Sequence, residues 1–197
     1  MKISFLNQSK RFPKHLHELK EVAVMPYDKK LLVEKNSLIE IEGISKLSEL
    51  DTSHFFDYRI FPAYILNAYA QWTDEKRKMQ TGDTIVQQVF LPPFPACSQK
   101  AIFGVRIKEL IHESTQIGFS YETLEGHVEK GISYFLLEET DQGVIFRIRT
   151  FSKPGNFLSK LLGPLFSIPY QRYCTRKAME NVKLNLLSKT KIHSENA

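Results

Sequence analysis

Residues 118–131 read GFSYETLEGHVEKG. Phe119, Tyr121 and Thr123 alternate with Gly118, Ser120 and Glu122, the period of two that marks a half-buried strand. Glu125, His127 and Glu129 follow within a few positions, with Gly126 among them and Gly131 closing the stretch. A strand that runs into two carboxylates and an imidazole admits three readings. It is a reactive acid–base cluster, the rim of a ligand cavity, or an ordinary reversal between two strands, for which Gly and polar residues are the usual material.

The chemical readings make definite demands. An imidazole titrates near pH 6.5 in isolation, and a carboxylate that orients it makes it a general base. His127 as base with Glu129 as orienter is the candidate pair. A metal would need a third ligand, His112 being the available one, but no HExxH or CxxC spacing supports it. His15 and His17 form an HxH pair on the segment with the least patterning. The sequence therefore commits no catalytic residue and implies no metal and no cofactor.

Outward from the motif, the period of two recurs. Ile85, Gln87, Val89 and Leu91 oppose Thr84, Val86, Gln88 and Phe90 before Pro92-Pro93 end the run. Phe103, Val105 and Ile107 alternate with Gly104, Arg106 and Lys108, and further strands fall at 117–123, 132–137 and 144–149. Short strands joined by tight turns without intervening helices imply an antiparallel meander. Upstream, Val22–Met25, Lys30–Val33 and Leu38–Glu42 are short strand candidates, and Asp51 or Ser53 is placed to cap a helix. The segment Ala63–Trp72, entered at Pro62, reads as a helix with broad apolar faces. Pro164 can open the last helix, and Pro169 kinks it or marks its start. Ile168, Tyr173, Met179, Val182, Leu186 and Leu187 then form an apolar stripe opposite Arg172, Arg176, Lys177 and Lys183. The economical solution is α+β: a curved antiparallel sheet with a long C-terminal helix laid into its concave face. Such a sheet does not close fully on one helix, so a cavity between them is expected.

Composition narrows the class. At 197 residues, 42% hydrophobic and 25% charged, the chain is long enough for one cored domain, burying roughly 70% of its extended surface. Residues 1–20 read as a peripheral segment, 21–190 as the domain and 191–197 as a flexible tail. No run approaches the roughly 20 apolar residues that cross a bilayer, and Ile3–Leu6 is too short for a secretory signal. Cys97 and Cys174 lack a CxxC spacing and read as reduced thiols in a cytoplasmic protein. No P-loop, GxGxxG or GxSxG motif is present, which removes nucleotide-dependent and seryl chemistry.

The charge is unevenly distributed. Residues 144–197 hold ten Lys and Arg against Glu180 and Glu195, whereas residues 99–143 hold eight acidic side chains against four basic. The basic third is a solvated helix face, or a surface for anionic lipid headgroups helped by Phe157, Leu161, Leu162, Leu165 and Phe166. No zinc-finger, RNP-like or helix-turn-helix signature accompanies it, so nucleic acid is not the expected partner.

The motif as a whole resembles the signature G-[FY]-x-Y-G-T-L-x-G-H-x-E-x-G-E-E of DUF1990, a domain of unknown function also known as UPF0548. Thr81-Gly82-Asp83-Thr84, Phe151-Ser152-Lys153-Pro154, Gly163-Pro164-Leu165 and Gln171-Arg172 resemble the same family, over about Phe55 to Val182. The resemblance implies a helix-grip fold of the START-like (SRPBCC, Bet v 1-like) type and little about activity. Glu122 stands where the family has glycine, and Ile132-Ser133 replace its acidic pair. The combined expectation is a binding protein for a small hydrophobic or amphipathic, lipid-like ligand held between sheet and helix. Its lining would be Phe103, Val105, Phe119, Tyr121, Thr123, Tyr134 and Leu136, with Ile168 and Tyr173 from the helix. The alternatives are an enzyme acting on such a ligand through His127 and Glu129, and a membrane-surface adaptor using the basic C-terminal region. The oligomeric state is left open.

Overall fold

The computed structural model describes residues 2–91, 98–154 and 168–195. Its elements run β1 (Lys2–Ser4), α1 (Phe12–Lys20), β2 (Val33–Ile41), α2 (Ser53–Phe56), β3 (Leu66–Ala70), α3 (Gln71–Asp74), β4 (Thr84–Leu91) and β5 (Gln99–His112). They continue with β6 (Gln116–Thr123), β7 (Glu129–Thr140), β8 (Gly143–Pro154) and α4 (Ile168–Glu195). The strands form one curved antiparallel sheet in the order β2-β8-β7-β6-β5-β4-β3, with β1 added to β5. The meander read from residues 84–149 is the centre of this sheet. A register shift between Ile107 and Glu109 bends the long strand β5, the usual consequence of an extra residue in one strand.

Helix α4 lies against the concave face, packing on β2 and β8 and touching α2. Ala178, Met179, Val182 and Leu186 are its buried side. They meet an aromatic cluster in which Phe119 and Phe135 stack at 5.2 Å, with Phe55 on Phe119 at 5.3 Å and on Phe146 at 5.8 Å. Asn181 Nδ2 donates to the carbonyls of Arg59 and Ile60 at 2.9 and 3.1 Å, tying the helix to the α2 loop. This half of the interface is solid.

Two sequence expectations are corrected. Ala63–Trp72 is not a helix: Leu66–Ala70 is edge strand β3 in register with β4, and only Gln71–Asp74 is helical. Both faces of β3 are covered, Tyr69 packing on Phe12 from outside while Leu66 and Ala70 face the core, so no alternation shows in the sequence. Residues 1–20 are not peripheral, because α1 docks on the outer face of β3 and β4 through Phe12 and Leu16 against Val86 and Ile102. His15 faces inward on that helix and His17 outward. The α4 backbone runs on to Glu195. Asp51 does serve α2, accepting the Ser53 N–H at 2.8 Å.

Pro92-Pro93, Cys97, Lys160, Gly163-Pro164-Leu165 and the apolar set Phe157, Leu161, Leu162 and Phe166 lie outside the described residues. No helix among the described residues is long and apolar enough to cross a membrane.

Candidate functional site

Beneath the first turns of α4 the sheet is not filled. A cavity of about 210 Å³ remains there. Its apolar walls are Phe61, Ile65, Leu66, Val89, Phe103 and Val128, with Phe135 and Ile148 toward the aromatic cluster and Cys174 on the helix. Its floor is polar. Gln87, 2% exposed, donates from Nε2 to Tyr58 Oη at 2.6 Å. The Tyr58 and Tyr121 rings meet edge to face at 6.2 Å, and burial pushes both phenols up. Ser133 Oγ lies 3.0 Å from Thr150 Oγ1. The result is an uncharged row of Gln87, Tyr121, Ser133 and Thr150 on four strands, with Tyr58 of the α2 loop behind Gln87.

The motif 118–131 forms the end of this cavity. After Thr123 the chain turns with the His127 N–H on the Leu124 carbonyl at 3.0 Å and Gly126 at φ +85°. Residues 23–25 strap the turn from outside: the Met25 N–H reaches the Thr123 carbonyl and the Glu125 N–H the Ala23 carbonyl, each at 2.9 Å. Leu124 and Val128 are buried and Glu125 is exposed, so the connection is braced rather than a loose polar loop. The His127 ring turns inward onto Phe103 at 4.5 Å. Its Nδ1 lies 3.0 Å from the Glu129 N–H and 2.9 Å from the Glu129 carbonyl. Nε2 is left for the cavity. The Glu129 carboxylate instead accepts from Gln171 Nε2 at 2.6 Å, and Lys35 Nζ donates to Gln171 Oε1 at 2.6 Å, closing the mouth between β2 and α4.

The expected lining is thus brought together in part. Phe103 and Tyr121 line the cavity, as do the candidates His127 and Glu129. Val105 and Phe119 point inward but belong to the solid core. Thr123 spends its hydroxyl on the Gly131 N–H at 3.0 Å. Tyr134 and Leu136 are on the convex face: Ser120 pairs with Tyr134 and Phe119 with Phe135, so Ser133 and Phe135 are the inward residues of β7. The parity was illegible because both faces of β7 are covered, Lys29 lying over the Tyr134 ring at 4.9 Å. Tyr173 packs at the core edge. The Ile168 side chain lies outside the described residues.

The sequence reading missed Tyr58, Ser133, Thr150, Gln171 and Lys35. Gln87 carried a signal, being polar among the apolar residues of one strand face. Ser133 carried another, as a departure from the family signature. The metal reading fails on geometry: His112 stacks on Phe56 at the other end of β5, roughly 30 Å along the strand from Phe103. Among the described residues no three His, Cys, Asp or Glu converge.

Burial pushes the His127 imidazole down to about 4, with the Glu129 main chain opposing. The folded state therefore keeps the ring neutral where the unfolded chain, near pH 6.5, takes up a proton. The unfolded state binds more protons in that window, so stability falls as pH drops from about 6.5 to about 4, by at most about 3 kcal/mol. Urea midpoints measured across this range should fall in the wild type and fall much less in His127→Gln.

The chain matches Domain of unknown function (DUF1990) over residues 52–181, the span that contains the cavity floor, the motif and the helix that covers them. It belongs to that family. A hypothetical protein of Helicobacter pylori, jhp0584, solved at 1.88 Å resolution, is 13% identical, the match covering 82% of this chain and 94% of that one at a TM-score of 0.47. No curated protein matches.

Proposed function

We propose that this protein is a helix-grip binding protein of the START-like type that holds a small, uncharged, largely apolar molecule with one or two hydrogen-bonding groups. The observation that carries the reading is the row of uncharged amide and hydroxyl groups set among apolar walls, an arrangement that orients a ligand whose affinity comes from burial. Burial contributes roughly 25 cal/mol per Å² of apolar surface, and each well-made hydrogen bond about 1 kcal/mol. A cavity of about 150 Å³ suffices for benzene, so 210 Å³ accommodates a ring with a few substituents or a short chain, not a diacyl lipid. Where DUF1990 relatives have an acidic pair, this chain has Ile132-Ser133, and Ser133 is on the floor; the cavity accordingly favours a neutral guest. Acid–base catalysis has less support, because the Glu129 carboxylate engages Gln171 rather than the His127 ring.

Native mass spectrometry of protein purified without detergent should show a retained small molecule. Ligand-observed NMR with phenol and indole should show binding that Ser133→Leu, which fills the floor, removes while the fold is kept. Protein that carries nothing and leaves both probes unperturbed would make the cavity a packing void and overturn the reading.

A further inference from the structure

Much of the described basic charge in the C-terminal third is paired, although Arg172 is exposed without an ion-pair partner among the described residues. Arg147 pairs with Glu138 at 2.9 Å, Arg149 with Glu34 at 2.6 Å, Lys177 with Glu180 at 2.6 Å and Lys183 with Glu42 at 2.6 Å. A cluster of unpaired basic charge is found near the other end of the chain. Residues 1–20 contain Lys2, Lys10, Arg11, Lys14 and Lys20 against Glu18 alone. Lys20 pairs with Glu75 at 2.8 Å, but Lys10, Arg11 and Lys14 are exposed and have no ion-pair or hydrogen-bond partner among the described residues.

The turn before these residues carries Phe5 and Leu6, 74% and 75% exposed, the two most exposed large hydrophobic side chains described. The turn is rigidly built. The Leu6 N–H donates to Ser4 Oγ at 3.1 Å. The Leu6 carbonyl accepts from Ser4 Oγ at 3.1 Å and from Gln8 Nε2 at 3.2 Å. The Phe5 carbonyl accepts from Lys100 Nζ at 2.8 Å, and Lys100 is itself 5% exposed. Gln88 Oε1 accepts the Gln8 N–H at 2.7 Å and anchors the turn to β4. Most polar groups of the tip are therefore satisfied from within, which removes the main cost of placing a main-chain turn in an apolar phase. Two apolar side chains on a braced turn, followed immediately by three free cations, make the pair of signals that peripheral attachment to a charged bilayer requires.

We propose that the Phe5–Leu6 turn and the Lys10, Arg11, Lys14 cluster form a docking surface for membranes bearing anionic lipids. Phe5 and Leu6 enter the boundary between headgroups and acyl chains, and the three cations lie against the headgroups. The ligand cavity is not involved, so this proposal and the binding reading fail separately.

Cosedimentation of the full chain with phosphatidylcholine vesicles, with and without phosphatidylglycerol, is the test. The wild type should bind the anionic vesicles, weaken steeply with added salt, and bind neutral vesicles poorly. Phe5→Ser/Leu6→Ser and, separately, Lys10→Glu/Arg11→Glu/Lys14→Glu should each lower partitioning by roughly tenfold or more. These positions are exposed, so unchanged circular dichroism and thermal midpoint confirm that folding is intact. Wild-type binding in either variant overturns the proposal. So does a concentration-dependent dimer, formed without lipid and lost in the serine variant, which would make a second copy the occupant.

Discussion

Gly131→Ala should cost about 4 kcal/mol or more, a large share of the roughly 5–15 kcal/mol that holds an ordinary protein folded. Gly131 closes the motif and pairs with Ser152 of β8. A methyl group there would stand 1.9 Å from the Phe151 carbonyl oxygen and 3.0 Å from Ser152 Cα, with the backbone at φ +154°. The obstruction is main chain, which cannot swing aside as a flexible side chain would. Relief requires β7 to move off β8, and that also breaks the bond from the Gly131 N–H to Thr123 Oγ1 and shifts Glu129 at the cavity mouth. Gly43→Ala is the control. It is also at positive φ, +77°, but its Cβ would meet nothing within 4 Å, so it should cost only the roughly 1–2 kcal/mol of left-handed backbone. Guanidinium unfolding of both variants separates close approach from conformation; equal losses would show that Gly131 matters through φ alone.

Arg77→Leu should destabilise by about 3–5 kcal/mol, because it strands a buried carboxylate. Asp83, 3% exposed at the entry to β4, is held by both Arg77 Nη atoms and by the Gln80 N–H at 2.8 Å. Removing the guanidinium leaves the charge with one neutral donor in a dry site. Arg77→Leu/Asp83→Asn should recover a large part of the loss, since an amide is far cheaper to bury than an unpaired anion. The two substitutions should therefore be strongly non-additive in urea-unfolding free energies. Additive losses would mean that the pair acts as a surface ion pair does, worth about 1 kcal/mol or less.

Both sites fall in segments that the sequence singled out, Thr81–Thr84 and Gly118–Gly131. What it did not reveal was how they act. The motif looked like chemistry because it gathers an imidazole and two carboxylates within five residues. Folded, those three side chains part: Glu125 to solvent, Glu129 to the helix, His127 into the cavity. The motif's glycines, together with the hydroxyl of Thr123, turn out to set the strand spacing. Thr150, distant in sequence and ordinary in context, joins Gln87 on the cavity floor because strand pairing places it beside Ser133, and the α2 loop brings Tyr58 against Gln87.

Local pattern alone determined the central strands, the amphipathic C-terminal helix and the family, since a strand with one wet face writes its period into its residues. The tertiary structure decided everything that depends on a second surface. Residues 66–70 are a strand and not a helix, and Ser133 rather than Tyr134 faces inward, because segments remote in sequence cover both sides and erase the alternation. Which cations stay free was likewise decided in three dimensions, by whether a carboxylate from another strand comes within reach.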